Sequence, residues 1–137
     1  DGGTLVNPMV VDGQVWGGAA QGIGTALYEE MPFDDAAQPL ATTLADYLLP
    51  GAGEVPSIPI DHMVTPSPIS RFGQKGIGES GAIGPPAAIG NAINDALRPL
   101  GAEVNETPIS PRRILAAILP HATRPPTKCS PCMAVIR

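Results

Sequence analysis

The 137 residues are one domain's worth of length, 43% apolar but only 4% aromatic, so a core must rest on Ala, Val, Ile and Leu. The net charge of −5 is uneven: residues 1–70 hold nine acids and no Lys or Arg, residues 71–137 four acids and eight bases. An acidic first half, and a second half with neither a basic stripe nor interleaved aromatics, argue against nucleic-acid binding.

No run approaches the ~18 apolar residues of a membrane span, and no signal-peptide pattern is present. Asp1 in place of Met reads as a fragment or a processed chain. The two Cys residues sit in the tail, leaving the body without a disulfide framework; a reducing, cytoplasmic location is expected.

In chain order, Asp1 to Asn7 reads as a turn with a short extended piece at Thr4, Leu5 and Val6. Pro8 is placed to open a helix as its first-turn residue. From Gly13 onward, Val15, Ala19, Ala20, Ile23, Ala26, Leu27 and Met31 repeat at helical spacing. The same helix carries Gly at 13, 17, 18, 22 and 24. Each interior Gly costs about 1 kcal/mol relative to Ala, so this density implies close approach of another backbone or a large ligand. Glu29 and Glu30 follow at its C-terminal end, where the dipole disfavours acids, so something outside the helix must hold them.

Residues 32–56 are turn-rich, with Pro at 32, 39, 50 and 56 and a short strand or helical turn over Thr42 to Leu49. Ser57 to Val64 alternates as a strand does, and residues 65–84 form a Pro- and Gly-rich loop. A second helix is expected from Pro85-Pro86, with Ile89, Ile93, Ala96, Leu97 and Leu100 on one face and Gly101 as its stop. Ala102 to Val104 is a candidate brief strand. Ser110-Pro111 caps a last helix with Ile114, Leu115, Ile118 and Leu119 inward. The pattern is α+β: a Gly-rich helix, a few short strands and two further helices over residues 1–118, then a Pro-rich, poorly ordered tail over 119–137. The isolated strands cannot complete a sheet by themselves.

Gly76-Ile77-Gly78-Glu79-Ser80-Gly81 matches the GxGxxG spacing of a dinucleotide site. The motif requires a buried strand ahead of it, and Ile69 to Lys75 is a poor one, so the match is read as accidental. Glu79 is the only acid between Asp61 and Asp95. Glycines at 76, 78 and 81 would let a ligand come close to it, and a partly desolvated carboxylate there suits general-base work. The competing reading is a solvated Glu paired with Lys75. Gln14 and Gln21, each beside glycines, are neutral donor–acceptor groups able to read a cofactor edge; tight helix packing explains the same glycines equally well. Cys129-Ser130-Pro131-Cys132 is a lone CxxC with no His-x3–5-His partner, since only His62 and His121 are present. Both His residues are read as surface groups.

Taken together these segments resemble the C-terminal part of the molybdopterin-binding large subunit of the xanthine oxidase family, which includes xanthine dehydrogenases, aldehyde oxidoreductases and aerobic carbon monoxide dehydrogenases. The resemblance runs through Asp1-Gly2-Gly3, Val6-Asn7-Pro8, Gly13-Gln14, Gly17 to Gly24, Glu29-Glu30, Asp46 to Pro50, Val55-Pro56 and Lys75 to Glu79. It closes with Pro86 to Ile89 and Asn91 to Leu97, covering residues 1–118 in the family's order.

The resemblance implies that Glu79 is the catalytic base of an oxidative hydroxylation of an aldehyde, N-heterocycle or CO-type substrate. It also implies that Gln14 and, more weakly, Gln21 contact a molybdopterin cofactor, expected in its cytosine dinucleotide form with molybdenum, while no side chain of the chain ligates a metal. The N-terminal remainder of the large subunit, an iron–sulfur small subunit and an FAD medium subunit are the implied partners, with a small molecule as substrate. The carbon monoxide dehydrogenase-like branch looks nearest, and the piece alone is expected to be inactive. Two rivals are a non-catalytic truncated remnant and a small metal- or redox-binding protein using Cys129 and Cys132.

Overall fold

The computed structural model describes residues 1–119. Helix α1 spans Pro8–Leu27, α2 Ser80–Leu97 and α3 Pro111–Ile118, with a 3₁₀ turn at Arg98–Leu100. Cys129, Cys132 and His121 lie outside the described residues, as does all but the first residue of the proposed tail.

Local chemistry accounts for the ends of the helices. Asn7 caps α1, its side chain accepting from the Val10 amide with Pro8 in the first turn. Ser110 does the same for α3 by accepting from Arg113. Gly101 closes the 3₁₀ turn in the left-handed conformation at φ 68°, which its lack of a Cβ makes cheap.

Helices α1 and α2 lie side by side in the same direction. Val15 and Gly18 meet Gly81, Gly22 meets Pro85, and Leu27 and Ile93 pack on one apolar cluster. That cluster is Leu97, Ala102, Val104 and Ile109, flanked by Ile114, Ala117 and Ile118 of α3. It sits at the C-terminal end of the helix pair. Among the described residues no large side chain is fully buried, while Met9, Trp16, Phe33, Leu44 and Ile83 are exposed.

Several expectations are corrected. Ser57–Val64 does not pair as a strand: Trp16 of α1 donates from Nε1 to the Ile58 carbonyl at 2.8 Å, and His62 meets Asp12 of α1 at 2.6 Å. Side chains thus fasten the segment where a neighbouring strand was expected, and His62 is half-buried rather than superficial. Ala102–Val104 is likewise unpaired because the Asn94 amide replaces a strand neighbour, donating to the Val104 carbonyl at 3.1 Å and accepting from its N–H at 2.9 Å. Only isolated bridges, Gly3 with Gln74 and Phe33 with Pro39, represent β-structure among the described residues. Thr42–Leu49 makes a single turn, with the Tyr47 amide donating to the Thr43 carbonyl at 2.8 Å.

Helix α2 begins at Ser80, five residues before the expected start, and carries Pro85 and Pro86 inside it. A proline there removes a helical donor; the cost is tolerated because Pro85 packs against Gly22 of α1. In α3, Leu115 and Leu119 are exposed and Ile114, Ala117 and Ile118 face the cluster. An eight-residue helix offers only one narrow inward stripe.

The two acids beyond α1 have their external partners. The Tyr47 hydroxyl donates to Glu29, and Arg113 reaches Glu30 at 3.1 Å while donating to the Thr107 carbonyl at 2.8 Å. The phenol of Tyr47 is pushed above its ordinary pKa, first by the hydrogen bond to Glu29, then by burial and by that carboxylate's charge.

Candidate functional site

The opposite end of the helix pair holds the residues singled out from the sequence. The amide Nε2 of Gln14 donates to the Gly78 carbonyl at 2.6 Å, across 64 residues of chain. Glu79, the next residue, forms the N-terminal boundary of α2 without capping it by its side chain. Gln14 and Glu79 are therefore brought to one place. Gln21 lies seven residues along α1 from Gln14, hence on the same side of the helix, and is exposed.

The glycines divide into two groups. A Cβ on Gly18 would lie 2.9 Å from Gly81 Cα and from the Ala82 amide nitrogen, and one on Gly22 would lie 2.9 Å from Pro85. These glycines exist for contact with α2, as the packing alternative required. Gly13 and Gly17, one turn apart on α1, and Gly76 and Gly78 in the loop would meet nothing within 4 Å. Bare backbone in both elements, beside two amide side chains, is the surface a large flat ligand would need. The residues present fit a pterin cofactor in that respect: open glycine backbone for close approach, and carboxamides able to match ring N–H and C=O edges.

The loop before Glu79 is organised by several ties. Asp1 accepts from the Gly3 amide at 2.8 Å and the Thr65 amide at 3.2 Å, and its other carboxylate oxygen takes Lys75 Nζ at 3.0 Å. The Lys75 amide donates to the Gly2 carbonyl at 2.8 Å, and the Thr4 amide to Gly73 at 3.1 Å. Two expectations about Glu79 change as a result. Its ammonium partner is taken, since Lys75 turns to Asp1, and Glu79 is exposed rather than partly desolvated within this chain. The Rossmann-like spacing lacks its strand here as expected, although α2 starts inside the motif. Sequence reasoning missed the Gln14–Gly78, Asp1–Lys75 and Asp12–His62 links. Each joins residues 50 or more apart with no local pattern to announce it. No group of three or more potential ligands (His, Cys, Asp, Glu) is assembled among the described residues.

Residues 1–56 match the molybdopterin cofactor-binding domain family. The chain is 43% identical over 117 residues to the nicotine 6-hydroxylase large subunit of Paenarthrobacter nicotinovorans, covering 85% of this chain and 14% of that protein. The carbon monoxide dehydrogenase large chain of Hydrogenophaga pseudoflava is 38% identical, over 88% of this chain and 15% of that one. Among solved structures, quinoline 2-oxidoreductase from Pseudomonas putida 86 superimposes with a TM-score of 0.82 at 50% identity, covering 85% of this chain and 15% of that chain.

The chain belongs to the molybdopterin-binding large subunits of the xanthine oxidase family. It spans about a seventh of the length of these relatives. Of the α+β expectation, a mainly helical fragment of a molybdopterin-binding domain matches these relatives, while the expected short strands reduce to isolated bridges among the described residues; the bare glycines of α1 fall inside the segment that the family profile matches. No described helix is long and apolar enough to cross a membrane.

Proposed function

We propose that this chain supplies the general base, Glu79, and part of the pterin-binding surface of a molybdenum hydroxylase large subunit. The observation that carries the reading is the Gln14–Gly78 hydrogen bond, which sets the bare-glycine face of α1 beside the Glu79 loop. When bound, the molybdopterin group supplies a two-electron redox centre at which oxygen derived from water is delivered to a carbon of the substrate. Gly13, Gly17, Gly76 and Gly78 let the group approach the backbone, and Gln14 and Gln21 offer it hydrogen-bonding amides. The Glu79 carboxylate accepts the proton that the oxygen nucleophile must lose.

The relatives named for nicotine and quinoline support an electron-poor nitrogen heterocycle as substrate ahead of carbon monoxide. The family relationship also supports the dinucleotide form of the cofactor, with iron–sulfur and FAD modules on partner subunits and the rest of the pocket on the remainder of the large subunit. In the complete enzyme, Glu79→Gln should retain molybdenum, read by elemental analysis, and lose about 10²–10⁴-fold in kcat on an N-heterocycle. Full turnover with full metal would remove Glu79 from the base role.

A further inference from the structure

The geometry points to Gln14 as a positioning residue for Glu79, acting on the peptide that aims it; this deepens, and rests on, the base role of Glu79. The partner of Gln14 is a carbonyl oxygen, so only the NH₂ side of its amide fits, and the orientation of the side chain follows from chemistry. The Gly78 carbonyl lies in the same rigid plane as the Glu79 N–H and Cα. Holding that oxygen at 2.6 Å sets the plane from which the Glu79 Cα departs, and with Glu79 at φ −116° and its carbonyl accepting from the Ala82 amide at 2.9 Å, the direction of its side chain follows.

The backbone turn from the Ser80 amide to the Ile77 carbonyl, at 3.4 Å, encloses this peptide without touching it, and the other ties act elsewhere. Lys75 is held to Gly2 and Asp1 three or more residues upstream, and the Ala82 amide donates to the Glu79 carbonyl on the far side, at 2.9 Å. Gly78 has no side chain to pack, and a Cβ there would meet nothing within 4 Å. Among the described residues, the Gln14 amide is thus the side-chain restraint on the peptide between 78 and 79. Its anchor is firm, because α1 is capped by Asn7 and keyed to α2 at Gly18 and Gly81. The Oε1 of Gln14 has no donor among the described residues, so contact with the cofactor through that atom is compatible with this role.

The test uses Gln14→Glu and Gln14→Met in the complete large subunit with its partner subunits. The first keeps the length and the acceptor but removes the donor; the second removes both. Hydrogen exchange is read at the Ser80 and Ala82 amides, which donate to the Ile77 and Glu79 carbonyls and report the order of this turn. Both variants should exchange there about tenfold faster or more, in cofactor-loaded and metal-free protein alike. In the metal-loaded fraction kcat should fall by about 10–100-fold with KM within about twofold, the mark of a misaimed group rather than of lost substrate binding. Unchanged exchange overturns the proposal whatever happens to activity, and unchanged exchange with lost molybdenum assigns Gln14 to the cofactor alone. Faster exchange with intact kcat also overturns it. The base role stands or falls separately on Glu79→Gln.

Discussion

Substituting neighbouring glycines of α1 should change stability in opposite directions. At Gly18 a new methyl would sit 2.9–3.0 Å from three backbone atoms of Gly81 and Ala82, none of which can swing aside. Restoring ordinary carbon contacts of 3.5–4.0 Å requires the helices to part by about 0.5–1 Å, and a gap of that size forfeits a quarter to a half of each remaining contact along the seam. Overpacking of this kind costs about 1–3 kcal/mol, against which Ala returns about 1 kcal/mol of helix propensity. The net expectation for Gly18→Ala is a loss of up to about 2 kcal/mol, centred on about 1 kcal/mol, or roughly a fivefold rise in the open population of the helix pair. Gly17→Ala meets nothing within 4 Å and should stabilise α1 by up to about 1 kcal/mol. The assay is hydrogen exchange of the α1 amides in metal-free large subunit, comparing the two variants with the parent. Equal or slower exchange in Gly18→Ala, or equal loosening in both variants, would refute the assignment of one glycine to packing and its neighbour to open surface.

In the cofactor-loaded enzyme the same Gly17→Ala should reduce molybdenum retention, measured by elemental analysis, because the methyl occupies the ligand face. Asn94→Ala should destabilise the C-terminal cluster by about 1–3 kcal/mol, since it leaves both backbone groups of buried Val104 without their partner; denaturant unfolding of the subunit reads this. Arg113→Ala should cost about 1–2 kcal/mol through its links to Glu30 and the Thr107 carbonyl, whereas Arg112→Ala, whose side chain is 79% exposed at 3.6 Å from Glu30, should be near neutral. Because the Tyr47 pKa is raised by folding, its bond to Glu29 contributes below pH 10 and is lost as pH climbs through the higher folded value. Melting curves of the parent and Tyr47→Phe should therefore converge in that alkaline range and stay apart below it.

Most helix ends were plain from the sequence. Pro8 in a first turn, Ser110 with Pro111, and Gly101 each act within a few residues, where residue type alone decides the geometry, whereas the Asn7 cap is seen only in the fold. The need for outside partners at Glu29 and Glu30 was equally legible, because an acid at a helix C-terminus is an electrostatic debt wherever the chain folds. The failures share another cause. Alternation over Ser57–Val64 reads as a strand and Ala102–Val104 as a brief one, but their polar groups find Trp16, Asp12 and Asn94 instead, choices made by tertiary neighbours that a local pattern does not contain. The early start of α2 was hidden by its prolines, which read as a beginning when Gly22 had made room for them further in. At the site, residue types marked Gln14 and Glu79, but only the fold shows the one touching the peptide of the other.

One consequence of the two glycine groups concerns tolerance. Gly17 faces open space and Gly18 faces α2, and Glu79 stands two residues before Gly81, the point where α2 touches α1. A ligand lying on the first glycine and the carboxylate carried by the second contact are thus gauged from adjacent residues of one helix. The chain of dimensions between them is one peptide unit on α1, one backbone-to-backbone contact and the two residues from Gly81 back to Glu79, ending in the Glu79 side chain itself. Errors in the long connection from 28 to 79 do not accumulate in it. Insertions between the fastened points of that connection, away from Tyr47, Ile58, His62 and residues 65–78, should leave the spacing between base and ligand unchanged.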